Sequence, residues 1–227
     1  MHDIKKYAVI VAGGKGLRMG NAVPKQFLPL CGMPVLAHSI FAFASALPGI
    51  EIILVLPEGQ LSYAQMVLAA LPAPMDITLV TGGGTRFHSV QRGLAAIKDD
   101  GIVFIHDGAR PLISKELILR CCATTLENGN AIPAIAVAES LREINGAHSS
   151  PLKRDQIRII QTPQTFFVRD IVSAFCQDYN SSFTDEATVA EAVGLQVHLV
   201  EGDRRNIKIT TEEDMVVAGA LMGSRYM

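Results

Sequence analysis

YAVIVAGGKGLRMG, residues 7–20, runs a β-branched apolar stretch directly into a turn that carries Gly13, Gly14, Gly16 and Gly20. Val and Ile at successive positions predict a strand buried on both faces, since a half-exposed strand would alternate with polar residues. The glycines permit a tight turn and let bare backbone N–H groups approach a ligand closely. The same rhythm recurs. Further strands are predicted at 50–57, 76–82, 101–107 and 131–137, separated by helical segments at 33–47, 58–71, 85–98 and 114–128. Strands alternating with crossover helices predict an α/β fold, a mostly parallel sheet with helices on both faces. In such a sheet ligands lie beyond the carboxyl ends of the strands. The glycine turn, TGGGTR (81–86) and HDGARP (106–111) all follow strands immediately, so all three are expected at one edge.

The glycine turn by itself admits several chemistries. A P-loop requires G-x-x-x-x-G-K-[ST], and no Gly-Lys-Ser/Thr follows Gly14 or Gly16. A dinucleotide fingerprint requires a third glycine where Met19 stands, and Glu58, the acid after the second strand, comes too late for the ribose. What remains is a turn used for positive φ or a phosphate cradle. Lys15, Arg18 and Lys25 favour the cradle, because N–H groups and nearby cations together suit a triphosphate.

Composition narrows the function further. The chain has 227 residues, 49% of them hydrophobic, enough to bury a core as one domain spanning 1–227. A net charge of -2 offers no general attraction to nucleic acid or to an acidic membrane surface, so neither is an expected partner. No apolar run approaches the ~20 residues needed to span a bilayer. Four cysteines without C-x-x-C spacing read as reduced thiols, and the expected compartment is the cytoplasm.

The rhythm breaks over residues 138–162. Polar, partly alternating stretches flank the turn-rich NGAHSSP (145–151), which predicts a β-arm projecting from the domain with little surface to bury against it. Helical patterns resume at 168–178 and 184–193. A closing helix starts near TTEEDM (210–215), with Thr210 or Thr211 as its N-cap.

AGGKGLRMG (12–20) with PKQFLPL (24–30) resembles the signature of the nucleotidyltransferases that make sugar nucleotides. GGGTRFHSV (82–90), HDGARP, TPQTF (162–166), TDEA (184–187) and NIKIT (206–210) narrow the resemblance to the polyol-phosphate cytidylyltransferases. It covers nearly the whole chain. It implies a Rossmann-like sheet of nucleotidyltransferase type, and a reaction joining CTP and a polyol phosphate with release of pyrophosphate. Between the methylerythritol phosphate and ribitol phosphate branches, FHSV and HDGARP look closer to the first.

By the same resemblance, Arg18, Lys25, Arg154 and Lys208 are the catalytic cations. Ala12, Gly13, Gly14 and Gly16 form the triphosphate cradle. Gly83, Gly84, Ser89 and Gly108 complete the CTP site; relatives often carry Ala at the position of Gly108. Arg110, Ser140, Thr162 and Thr184 match polyol-phosphate positions, although Thr162 and Thr184 equally suit turn or helix caps. Asp107, a carboxylate at a strand end beside phosphates, suits Mg²⁺, the implied cofactor. Arg86 either holds its loop or meets phosphate. Arg205 stands where some relatives have an acid. Arg154 and Ser140 match positions that serve the neighbouring subunit of a homodimer, so the arm is expected to share active sites across a two-fold axis.

Overall fold

The computed structural model describes residues 4–13 and 23–223. Strand β1 (Lys6–Val11) is followed by a short hairpin, β2 (Pro29–Leu30) and β3 (Met33–Pro34), and by helix α1 (Val35–Ala46). Then come β4 (Glu51–Leu56), α2 (Ala64–Ala69), β5 (Ile77–Thr81), α3 (Arg86–Leu94), β6 (Ile102–Asp107), α4 (Lys115–Asn128) and β7 (Asn130–Ala136). The second half adds β8 (Arg142–Asn145), β9 (His148–Pro151), β10 (Arg158–Ile160), β11 (Gln164–Phe167), α5 (Val168–Ala174), α6 (Glu186–Ala192), β12 (Leu199–Glu201) and α7 (Glu212–Gly223).

β5, β4, β1 and β6 lie side by side and parallel, as the alternating pattern predicts. Two additions were not legible. β11 pairs antiparallel between β6 and β7, and β10 continues its line along β7 after a break at 161–163. β12 lies parallel on the other edge of β7. β10 and β11 are too short, at three and four residues, to show a period of their own.

The two-residue period of the strands sorts the core into two layers. Ala8, Ile10, Ile52, Leu54, Leu56, Ile102 and Phe104 face α1, α2 and α4, while Tyr7, Val9, Val11, Ile53, Val55, Val103 and Ile105 face α3 and α5. Carried to the end of β6, the alternation sends His106 toward Phe43 of α1, with ring centroids 5.3 Å apart. It sends Asp107 to the opposite side, toward α3. Gly93 allows α3 to approach closely: a Cβ there would lie 2.6 Å from Val9 Cγ1 and 2.9 Å from Val55 Cγ2. Both valines are fully buried and have nowhere to move. Gly93→Ala is therefore expected to destabilise by about 1–3 kcal/mol through overpacking, exceeding the roughly 1 kcal/mol that alanine contributes to an unstrained helix. Urea unfolding would measure it, and a stabilised variant would refute it.

β8 and β9 form a separate two-stranded ribbon, exposed at every position, as expected of the arm. The span 138–162 is nonetheless not all arm. Residues 158–160 return to the main sheet, and Gln161 and Thr162 are buried, because β7 offers them a free edge. At the closing helix, Thr211 Oγ1 accepts the Asp214 N–H at 3.3 Å, and Asp214 Oδ2 accepts from the N–H groups of Thr210 and Thr211 at 2.7 and 2.8 Å. This is a reciprocal cap. Among the described residues no helix is long and apolar enough to cross a membrane.

Candidate active site

The ends of β1, β5 and β6 open onto one cleft of about 340 Å³, lined by Ala12, Gly13, Lys25, Gln26, Gly83, Gly84, Thr85, Arg86, Ser89, Asp107 and Lys208, among others. Each loop leaves its strand by extending the ladder one bond further. Ala12 N–H donates to Val55 O (3.0 Å), Gly82 N–H to Leu56 O (2.8 Å) and Gly108 N–H to Val11 O (2.9 Å). The cleft therefore stands on sheet backbone and not on loop conformation alone.

Asp107 is its electrostatic centre. Oδ1 accepts from Arg86 Nε and Nη2 at 3.3 and 3.2 Å. Oδ2 lies 2.9 Å from Lys208 Nζ and 3.5 Å from Arg110 Nε. Burial by itself raises a carboxyl pKa, but Arg86, Lys208 and Arg110 outweigh it and hold Asp107 far below the usual carboxylate range. Arg86 in turn grips Glu186 through Nη1–Oε1 (2.5 Å) and Nη2–Oε2 (3.0 Å). Burial works against the charge on Arg86, yet Glu186 and then Asp107 raise its pKa further. Within this cluster three cations face two carboxylates, which leaves it net positive toward the cleft.

Below Asp107 the ring of His106 is fixed as one tautomer. Nε2 faces the carbonyl of Arg110 at 3.2 Å, so that nitrogen carries the proton. Nδ1 then accepts from the Thr162 hydroxyl at 3.1 Å, whose oxygen also accepts the Asp107 N–H at 3.0 Å. Burial pushes the His106 pKa down to about 4 from its ordinary 6.5, with Asp107 opposing. The unfolded ring thus takes up a proton at a higher pH than the native ring does, and the stability present above pH 6.5 is lost as pH falls toward 4. Between pH 7 and pH 5 the loss attributable to this ring is about 2 kcal/mol. Urea unfolding at the two pH values, compared between wild type and His106→Gln, should show a drop smaller by that amount in the variant. Equal drops would contradict it.

The residues anticipated from sequence fall into distinct places. Ala12, Gly13, Lys25, Gly83, Gly84, Ser89, Asp107 and Lys208 line the cleft. Gly14, Gly16 and Arg18 lie outside the described residues. The hydroxyl of Ser89 is used within its own loop, accepting from Gly83 N–H at 3.1 Å and donating to Thr85 O at 2.9 Å. Gly108 packs beneath the cleft, where a Cβ would lie 2.7 Å from Leu36 Cδ1. Arg110 is buried beside Asp107 and donates to Asn206 O at 2.8 Å. Thr162 is buried with its hydroxyl engaged as above, and Thr184 is exposed one residue before the N-cap of α6. Ser140 and Arg154 share a recess on the arm and do not line the cleft. Arg205 reaches from its loop to the carbonyl of Leu221 on α7, and Arg86 is held by carboxylates.

Two contributors went unread. Gln26 is buried and donates to Ala12 O (2.9 Å) and Gln60 Oε1 (2.7 Å), tying the Lys25 segment to the first turn of the cradle. Glu186 sits inside TDEA, quoted as a motif but not singled out; the signal for it was Arg86, a cation near a core strand end that needs a counter-charge.

The family model described as "IspD: 2-C-methyl-D-erythritol 4-phosphate cytidylyltransferase" matches residues 6–224. A protein of that name from Bacteroides thetaiotaomicron is 43% identical over 96% of this chain and 100% of its own, and one from Bacteroides fragilis is 44% identical over 95% and 98%. The crystal structure of a 4-diphosphocytidyl-2C-methyl-D-erythritol synthase from Anaerococcus prevotii superposes with a TM-score of 0.82 at 28% identity, covering 97% of this chain and 99% of that one. The Thermus thermophilus cytidylyltransferase gives 0.76 at 30%, covering 96% and 98%. With a cation-ringed carboxylate at the strand ends and full-length likeness on both sequence and structure, the chain belongs to the 2-C-methyl-D-erythritol 4-phosphate cytidylyltransferase family.

Proposed function

We propose that the cleft transfers CMP from CTP to 2-C-methyl-D-erythritol 4-phosphate, giving 4-diphosphocytidyl-2-C-methyl-D-erythritol and pyrophosphate. The observation that carries this is the ion cluster on Asp107, which presents cations to a cleft floored by strand-end backbone. A phosphate monoester has its second pKa near ~6 and is largely ionised at pH 7, so its oxygen attacks the α-phosphorus without a general base. The barrier is electrostatic: a dianion approaches a polyanion, and charge grows on the equatorial and leaving oxygens.

Lys208, whose side chain is 43% exposed, is suited to swing from Asp107 onto phosphate oxygens. Lys25 lines the same cleft, and Arg18 adds a further cation by resemblance. By resemblance, Ala12, Gly13, Gly14 and Gly16 form the triphosphate cradle, Ala12 by fixing its start on the sheet, since its own N–H is given to Val55 O. Gly83, Gly84 and Ser89 hold the base, the serine by shaping the loop. Arg110 faces the polyol phosphate, and Thr162 supports the site from beneath. Thr184 serves the polyol side from the start of α6.

Among the described residues no group of three or more His, Cys, Asp or Glu side chains forms a metal cage. Asp107, its carboxyl held far below the usual range, offers an ionised oxygen donor inside the cleft, which suits a hard cation such as Mg²⁺. Asp107 would hold such an ion, which would supply neutralisation of triphosphate charge.

The chain is one domain spanning 1–227, working in the cytoplasm, where CTP is made. Two copies form a homodimer, and the arm carries Ser140 and Arg154 to the partner's cleft. Support comes from the exposed ribbon and from a recess that shares no lining residue with its own cleft. Purified protein with CTP and Mg²⁺ should release pyrophosphate with 2-C-methyl-D-erythritol 4-phosphate; equal or faster turnover of ribitol 5-phosphate would overturn the substrate assignment. In the same assay, mixed Arg154→Ala and Lys208→Ala subunits should recover activity absent from either alone. No recovery in confirmed heterodimers would refute shared sites.

A further inference from the structure

We infer that Glu186, which lies outside the cleft lining, is a positioning residue: it fixes Arg86, and through Arg86 sets the orientation in which Asp107 receives Lys208. The inference rests on the cytidylyltransferase reading of the cleft. Glu186 is fully buried, an environment that a carboxylate tolerates only with a partner. Its partner is the Arg86 guanidinium, held by both carboxylate oxygens at 2.5 and 3.0 Å. The remaining edge of that guanidinium, Nε and the other face of Nη2, meets Asp107 Oδ1 alone. One planar cation thus bridges two carboxylates, and Asp107 Oδ2 is left for Lys208 at 2.9 Å and the longer Arg110 contact at 3.5 Å.

The support for Glu186 is built from three elements. It is the first residue of α6, where the helix N-terminus favours a carboxylate. Asp185 caps that helix by accepting the Thr188 N–H at 2.9 Å. Gln164 of β11, itself buried, donates to Asp185 Oδ2 at 2.8 Å and accepts the Ala187 N–H at 2.7 Å, clamping the first turn of α6 from the sheet. A surface ion pair would need none of this. The chain of contacts β11–α6–Arg86–Asp107–Lys208 instead transmits a fixed geometry to a cleft cation placed to reach phosphate.

The charge count yields a signature that mere loss of structure does not. Glu186→Gln removes one negative charge beside a polyanion site, so CTP should bind as tightly as before or more tightly. Meanwhile Arg86 loses its anchor, Asp107 reorients and turnover falls, by about tenfold or more, since misplacement of a supporting group by about 1 Å can cost as much as 10²-fold. The experiment measures kcat per folded protein by pyrophosphate release and, separately, Kd for CTP by calorimetry. A fall in kcat of about tenfold or more with Kd unchanged or lower is the expected result; a smaller fall, or CTP affinity lost in step with turnover, overturns the inference. If Glu186→Gln does not fold, Glu186→Asp, which keeps the charge but withdraws the carboxylate, is judged on the kcat fall with Kd unchanged. A crystal structure of the folded variant tests the geometry independently of any activity: Arg86 unmoved on Asp107 overturns the inference. Wild-type protein that releases no pyrophosphate would instead refute the reaction assignment.

Discussion

Lys208→Ala is expected to lower turnover by about two to three orders of magnitude, the usual cost of removing one preorganised group that stabilises transition-state charge. Fold stability should change by no more than about 1 kcal/mol, because a partly exposed ion pair contributes little. The contrast follows from position. Lys208 Nζ lies 2.9 Å from Asp107 Oδ2, on a side chain that is 43% exposed. Without it, Asp107 keeps Arg86 and Arg110, so no buried charge is orphaned. What is lost is a mobile cation at the cleft. Steady-state kinetics beside urea unfolding separates the two effects. Turnover within tenfold of wild type would remove Lys208 from the catalytic set, and a large stability loss would recast it as structural.

Arg86→Met should show the reverse emphasis, a destabilisation of about 3–5 kcal/mol, because it strips the cation from a buried pair and leaves Glu186 uncompensated. Burial already pushes the Glu186 carboxyl upward, and Arg86 is the main force opposing it. In the variant the native carboxyl therefore binds its proton at a higher pH than the unfolded one. Stability is retained at low pH, where the group is protonated in both states, and lost as pH rises through the native pKa. The deficit relative to wild type should be smaller at pH 5 than at pH 8. Arg86→Met with Glu186→Leu, which removes both charges, should recover much of the loss. A pH-independent deficit, or a double variant no better than the single one, would show that the pair is not what holds this region.

Much of the fold was legible because periodicity is a local property. The runs at 7–12, 50–57, 76–82, 101–107 and 131–137 became β1, β4, β5, β6 and β7, and the buried strands β1, β4 and β6 announce themselves by runs rich in Val and Ile. β11 was not legible, because four residues, QTFF, carry no period and take their place only from the gap between β6 and β7. The cleft was legible as a set of motifs, and Ala12, Gly83, Asp107 and Lys208 do converge. The roles of the hydroxyls were not. Ser89 and Thr162 spend theirs on loop backbone, a neighbouring N–H and an imidazole, partners that only the register of loops and strands brings within reach.

By itself the sequence determined the layered α/β order, the strand-end position of the glycine turns, the projecting ribbon and the cation-rich character of the cleft. Each of these depends on residue types within a few positions of one another. Only the tertiary structure decided which charges meet. Arg86 and Glu186 stand one hundred residues apart, yet they form the bidentate pair that fixes Asp107. Coulomb energy and hydrogen bonding depend on distances of a few ångströms and on burial. Those are set by how β6, α3 and α6 pack and not by any spacing along the chain.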